Sequence, residues 1–420
     1  MATAKPRGGI SLTTQIFIGL GLGVVIGYIV SITDPAWSAN IRPFSQIFIR
    51  MIKMIIAPLI FATLVAGIAG AGHVRQVGRM GFKAIVYFEI VTTIALIIGL
   101  VAVNIVKPGV GVNLPPETGD VTATAQGWKE ILLHLIPESV IQAMATGDVL
   151  QIVVFSIIFG IALGMIGEKG KPLVALCEQL AETMFKFTSI VMRYAPIGVG
   201  AAMAYTVGHG GLRVLVNLAL LVATLYGALI VLILGVFLPV ALIFKVPIRK
   251  FIRAVREPAI IAFATTSSES ALPRAMEVLE RLGVPRRIVS FILPLGYSFN
   301  LDGTTLYLSL AAVFVAQAAG VELTVGQQIT MLLTLMLTSK GVAGVPRASL
   351  VILAGTLASY NLPLAGVTLI LGVDELMDMA RTMTNVIGNC LATVVVARME
   401  GEFKEATDAE LDLAAAQGEI

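Results

Sequence analysis

Hydrophobic residues fall in eight long runs: Thr13–Ile32, Phe44–Ala71, Phe82–Val106, Leu150–Ile166, Leu173–Val207, Leu212–Phe244, Ile288–Ala319 and Ala365–Arg398. Most of them reach the roughly 20 residues that carry a helix across hydrocarbon, and several exceed it. The pattern predicts long membrane helices, some tilted or projecting, and an all-α membrane protein. Two stretches break it. Pro258–Gly283 holds Thr265, Thr266, Ser267, Ser268, Glu269 and Ser270 between apolar flanks, and Gln328–Tyr360 holds Thr338, Ser339, Lys340, Gly341, Gly344, Pro346 and Arg347. Each reads as a re-entrant helical hairpin, entering, turning and leaving on one side. Each is followed by a full span carrying polar residues, so hairpin plus span occurs twice, as an inverted repeat. Irregular backbone at membrane depth survives only against protein or a cavity, so the two tips are expected to meet.

Charge orients these elements. Arg75, Arg79 and Lys83, then Lys169 and Lys171, then Lys245, Arg249, Lys250, Arg253 and Arg256, then Arg281, Arg286 and Arg287 mark alternate connections. Asp34–Asn40, Asn113–Gln126 and Val321–Gln328 between them are acidic or neutral. The positive-inside rule puts the basic loops in the cytoplasm, with both termini. Lys5 and Arg7 precede a first run too long for a signal peptide, so it is read as a retained span. Gly401–Ile420 is acidic and reads as a solvated tail.

Composition supports this class: of 420 residues 57 % are hydrophobic and 13 % charged, and the net charge of +3 gives no nucleic-acid signal. Cys177 and Cys390 sit in apolar runs as small core residues. His73, His134 and His209 are far apart, so no metal cluster is expected. No nucleophile–base pair stands in the spans, and no enzymatic activity or cofactor is expected.

The final run carries the densest chemistry. At about 100° per residue, Asp378, Arg381, Thr382, Asn385 and Asn389 form a stripe about 100° wide. An acid and an arginine in an apolar span each cost about 2.5–3.5 kcal/mol on insertion, so the stripe is expected to face a polar cavity. Arg381 offers a planar fork for a carboxylate. Asp378 either accepts a substrate amine or neutralises Arg381 as a structural ion pair. With half-helix N–H groups near Ser268, the set fits a solute with one ammonium and two carboxylates. Asn300-Leu301-Asp302-Gly303-Thr304 interrupts its span, either as a hard-oxygen cation site or as a hydrogen-bonded kink. Glu89, mid-span, is either a neutral acid hydrogen-bonded to Thr92 or Thr93, or a proton carrier. Lys340 either sets a fixed cation near the pocket or snorkels to the surface.

Thr265–Pro273, Asn300–Thr304, Ser339–Pro346 (SKGVAGVP) and Asp374–Asn389 (DELMDMARTMTNVIGN) together resemble the dicarboxylate/amino acid:cation symporter family, also called the glutamate transporter family. The order of elements fits from about residue 10 to 400. The resemblance implies a homotrimer with eight spans and two re-entrant hairpins. It implies a scaffold from about 11–72 and 130–207, and a transport domain from about 81–106 and 212–400 that moves like an elevator. The hairpins would lie at about 258–283 and 328–360, with a tail at 401–420. By the family pattern Arg381 holds a side-chain carboxylate and Asp378 an α-amino group. Thr304, Thr382 and Asn385 are further contacts, Ser268 and Val345 offer backbone, and Gly341–Ser349 is the outer gate.

Asp378 beside Arg381 favours L-glutamate or L-aspartate over a C4-dicarboxylate, which an anion there would repel. The coupling ion follows from departures. Asn389 stands where sodium-coupled members have aspartate, Lys340 where they have an apolar residue, and Glu89 where they have tyrosine. Leu308 occupies the proton-carrying glutamate position of animal transporters. These changes resemble the proton-coupled bacterial branch, while Asp302, Asn300 and Thr92 keep the chemistry of one sodium site; Thr93 and Asn389 stand with Glu89 and Lys340 among the coupling candidates. The expectation is an inner-membrane symporter of acidic amino acids driven by protons, with sodium coupling and C4-dicarboxylate transport as alternatives.

Overall fold

The computed structural model describes residues 12–70, 78–112, 114, 136–146, 149–339 and 348–405. Lys340, Val345 and the rest of tip 340–347 lie outside the described residues, as do residues 1–11, most of Asn113–Gln126, and 406–420.

The described residues form helices and no strand. In chain order they are α1 (Leu12–Thr33), α2 (Arg42–Gly70), α3 (Gly78–Val106), α4 (Val140–Thr146), α5 (Val149–Ile166), α6 (Lys171–Val191), α7 (Ala195–Gly210) and α8 (Arg213–Leu232). Then follow α9 (Leu238–Ile243), α10 (Ile248–Thr265), α11 (Ser268–Leu282), α12 (Arg286–Phe299), α13 (Asp302–Ala318), α14 (Val325–Thr338), α15 (Ala348–Ser359) and α16 (Ala365–Met399). Five stretches are long and apolar enough to cross a membrane: Thr14–Thr33, Met80–Val106, Val154–Gly208, Val214–Ile243 and Arg286–Ala318. α16 is not among them, because its polar stripe offsets its apolar faces.

Three expected boundaries shift. The run Leu173–Val207 divides into α6 and α7 at a 3-10 turn, Met192–Tyr194, with Pro196 in the first turn of α7. Proline lacks the N–H that a continuing helix would need and fits a first turn. Helix α10 begins at Ile248, ten residues before Pro258, where the first hairpin is expected to start, and Pro258 lies inside it. The tail is not wholly solvated: after α16 the chain reverses at Gly401 (φ +72°), and Lys404 N–H bonds the Gly283 carbonyl at 3.1 Å.

Two kinds of contact organise the helices. α1 lies on α7 through small residues, and a Cβ on Gly27 would stand 2.7 Å from the Ala204 carbonyl oxygen. Stripes of this kind let backbones approach closely. The second is a central stack. α16 packs against α7, α8, α10, α11, α12 and α13, while α13 lies between α3 and α16 with every residue buried except Gln317. Cys177 and Cys390 are buried free thiols, as expected of core residues.

Candidate functional site

The site forms where α12 stops, α13 starts and α16 passes alongside. Asn300 ends α12 (φ −127°, ψ 69°), and Leu301 separates it from α13. The interruption leaves helix-terminal N–H groups in the interior, and side chains of α16 satisfy them. Asn385 Oδ1 accepts from Gly303 N (2.8 Å) and Thr304 N (3.2 Å), and Asn385 Nδ2 donates to Thr304 Oγ1 (2.9 Å). One turn on, Asn300 Nδ2 donates to Asn389 Oδ1 at 3.2 Å. Asp302 is fully buried, with its carboxylate against the bare backbone of Gly388, where a Cβ would stand 2.6 Å from Oδ2. Gly303 allows α13 to touch α16, since a Cβ there would lie 2.9 Å from Arg381 Cα. Gly303→Ala is therefore expected to cost about 1–3 kcal/mol as overpacking and to displace the Arg381 backbone. A fall in melting temperature together with weaker substrate binding checks it.

Arg381 is the centre. Its side chain is 1 % exposed. Nε donates to Asp378 Oδ1 at 2.9 Å, while Nη1 and Nη2 reach the two oxygens of Asp374 at 2.9 and 3.4 Å. The guanidinium carbon stands 4.1 Å from the Tyr307 ring centroid, a cation–π distance. Thr382 Oγ1 donates to Asp378 Oδ1 at 3.0 Å. Asp378 Oδ2 is buried and receives no hydrogen bond. One guanidinium against two carboxylates leaves a formal charge of −1 in a buried cluster. A carboxylate with a spare lone-pair face in such a place suits a cationic donor.

The structure thus brings together Asn300, Asp302, Thr304, Asp378, Arg381, Thr382, Asn385 and Asn389. The ion-pair reading of Asp378 and the binding reading coexist, because one oxygen pairs with Arg381 and the other is left over. Two participants escaped the sequence reading. Asp374 sits seven residues before Arg381, two helical turns away and on the same stripe, so the angular arithmetic contained it. Tyr307 is one turn after Thr304 on α13, a position whose meaning depends on the packing of α13 against α16.

Helices α10, α11 and α15 pack around α16. α10 and α11 pack on each other and on α16. Thr266 takes a left-handed conformation (φ 50°), and Ser267 Oγ caps α11 by accepting from Ser270 N. Ser268, the first residue of α11, is 2 % exposed. Ser349 is buried near the start of α15, which packs on α2 and α5 and also touches α13 and α16.

On α3, Thr92 is buried and Glu89 half-buried. The threonine hydroxyls bond the main chain: Thr92 donates to the Phe88 carbonyl (2.7 Å) and Thr93 to the Glu89 carbonyl (2.6 Å). A threonine in a helix finds the carbonyl one turn back in this way. Thr93 also faces Met336 of α14 at 3.6 Å. No group of three or more metal-ligating His, Cys, Asp or Glu side chains forms among the described residues.

Residues 12–399 match the sodium:dicarboxylate symporter family. The chain belongs to that family. It is 43 % identical over 405 residues to the proton/sodium-glutamate symport protein of Bacillus caldotenax, covering 94 % of this chain and 96 % of that one. It is 44 % identical over 404 residues to the protein of the same name in Bacillus subtilis, with 94 % of each chain covered. The C4-dicarboxylate transport protein of Bacillus subtilis is also 44 % identical, over 411 residues, covering 95 % of this chain and 96 % of that one. Family membership and the apolar helices make this a multi-pass membrane protein. The relatives' names divide between two substrate classes at equal identity, so only the site can favour one of them.

Proposed function

We propose that this chain is a secondary active symporter that takes up L-glutamate and/or L-aspartate with protons across a bacterial inner membrane. One observation carries the substrate class: Asp378 holds Arg381 with one oxygen and keeps the other buried and unbonded. A substrate ammonium fits Oδ2, and a substrate carboxylate takes the Nη pair that Asp374 now occupies. A succinate-like dianion has nothing to offer Oδ2 and would meet a net negative cluster. In this reading α10–α11 and α14–α15 are the re-entrant hairpins, the stack around α16 is the moving body of a homotrimer, and both termini are cytoplasmic. Ser268 and Ser349 line the substrate, and the roles of Val345 and Lys340 stay those that the family resemblance implies.

The leading proton carrier is Glu89, a carboxylate in a helix long and apolar enough to cross a membrane, in a chain that has Asn389 where sodium-coupled members have aspartate. An imposed pH gradient without sodium is expected to drive aspartate accumulation in proteoliposomes. Glu89→Gln is expected to flatten the pH dependence of net uptake while leaving aspartate exchange intact. Accumulation that appears only with a sodium gradient, or an unaltered pH profile in the variant, would refute proton coupling. A sodium reading draws on a specific feature too: Asn300 Oδ1 is a buried acceptor with no donor, two residues from Asp302. With Thr92 these groups offer hard oxygens to one monovalent cation.

A further inference from the structure

The six residues after α16 bind both feet of the first hairpin. Gly401 turns the chain, and Glu402 N–H closes onto the Ala397 carbonyl at 3.0 Å. From there Glu400 pairs with Lys83 of α3 at 2.6 Å, and Lys83 also donates to the Met399 carbonyl at 3.0 Å. Glu402 takes Arg287, at the start of α12, in a two-pronged contact, with Nε to Oε2 at 3.2 Å. That contact lowers the Glu402 carboxyl below its ordinary range, so it is ionised at neutral pH. Lys404 N–H holds the carbonyl of Gly283, the left-handed residue (φ 108°) that ends α11. Glu405 pairs with Lys250 in the first turn of α10 at 2.9 Å. Between them Phe403 packs against the core beneath the Arg398 guanidinium, 4.3 Å from its ring centroid, and Arg398 donates to the Lys245 carbonyl at 2.8 Å.

Lys250 and Gly283 are the two feet of the hairpin whose tip, Thr266–Ser268, lies beside α16. Arg287 is the foot of the helix that ends at Asn300. For the hairpin to part from α16 on this face, the Lys404–Gly283 backbone bond, the Glu405–Lys250 ion pair and the Arg398 bond to the Lys245 carbonyl must break together, while Glu400–Lys83 and Glu402–Arg287 anchor the same strap to α3 and α12. We propose that Glu400–Glu405 is a clasp that positions the first hairpin on α16 and keeps substrate from leaving between them. The functional part of this inference rests on the transport reading above; the clasp itself does not.

The test uses the full chain in proteoliposomes with Cys177 and Cys390 replaced by alanine and a Val278→Cys reporter. Val278 is 2 % exposed on α11, near the clasped foot. Removing the clasp charges with Glu402→Gln and Glu405→Gln is expected to raise labelling by a water-soluble thiol reagent about tenfold, as a local opening. The aspartate dissociation constant should stay within about twofold, because the site contacts are untouched. Raising ionic strength should speed labelling in the parent and leave the variant unchanged, since exposed pairs are screened. Exchanging the charges, Arg287→Glu with Glu402→Arg, should restore slow labelling, which a loss of general stability does not predict. Equal labelling in parent and variant at low and high salt would overturn the clasp. Altered labelling in a protein that neither binds nor moves aspartate would uphold the clasp and reject the transport reading.

Discussion

Arg381→Ala will lose measurable binding of glutamate and aspartate and will melt at a lower temperature before any ligand is added. The two effects share a cause. The guanidinium is the shared counter-charge of Asp374 and Asp378 in a place where both carboxylates are buried. Removing one partner of a buried pair typically costs about 3–5 kcal/mol, since an uncompensated charge stays behind. The substrate loses its only cationic partner in the cluster, a change worth about 2–5 kcal/mol at a desolvated charged contact. At about 1.4 kcal/mol per decade the affinity falls by roughly 30- to 4,000-fold. Arg381→Lys restores the charge without the planar fork, so it cannot serve Nε and Nη partners together. It is expected to recover part of the stability and little of the affinity. Thermal unfolding and aspartate titration on the same samples check both. Full aspartate affinity in Arg381→Ala would remove this residue from the site.

Asp378→Asn changes preference rather than merely weakening the site. The variant's amide oxygen would still accept from Arg381 Nε, but its amide nitrogen presents N–H groups where Oδ2 now stands. An ammonium then meets a donor and loses its counter-charge. Aspartate affinity is expected to fall about 100-fold, within the range for a buried charged hydrogen bond. Succinate lacks the ammonium and escapes the repulsion of one carboxylate, so its affinity should rise. The measured quantity is the aspartate-to-succinate affinity ratio in parent and variant. An equal fall for both ligands would mean that Asp378 only props Arg381.

Much of this was legible in the sequence, for physical reasons. Arg381, Asp378, Thr382, Asn385 and Asn389 stand out because charge and amide groups are costly in an apolar run, and helical spacing fixes which of them share a face. The break at Asn300–Leu301 showed as polarity and Gly303 inside a hydrophobic stretch. What stayed hidden depends on who packs against whom. Asn385 bonding the first turn of α13, Tyr307 lying over the guanidinium, and Gly388 making room for Asp302 are facts of one helix beside another. The tail misled for a similar reason. Glu402 and Glu405 read as part of a solvated tail until the chain reversal at Gly401 brings them to Arg287 and Lys250. Asp374 is different, because helical spacing alone places it on the stripe, two turns before Arg381.

The central claim is that a buried carboxylate oxygen on Asp378 waits for an ammonium while Arg381 takes a carboxylate. L-Aspartate and succinate differ by that ammonium alone, so calorimetric titration of the purified wild-type protein with each, at fixed pH and with and without sodium, tests it most directly. Aspartate is expected to bind at least about 100-fold more tightly than succinate, the scale set by leaving a buried polar partner unmatched. Succinate binding as tightly as aspartate, or more so, would contradict it.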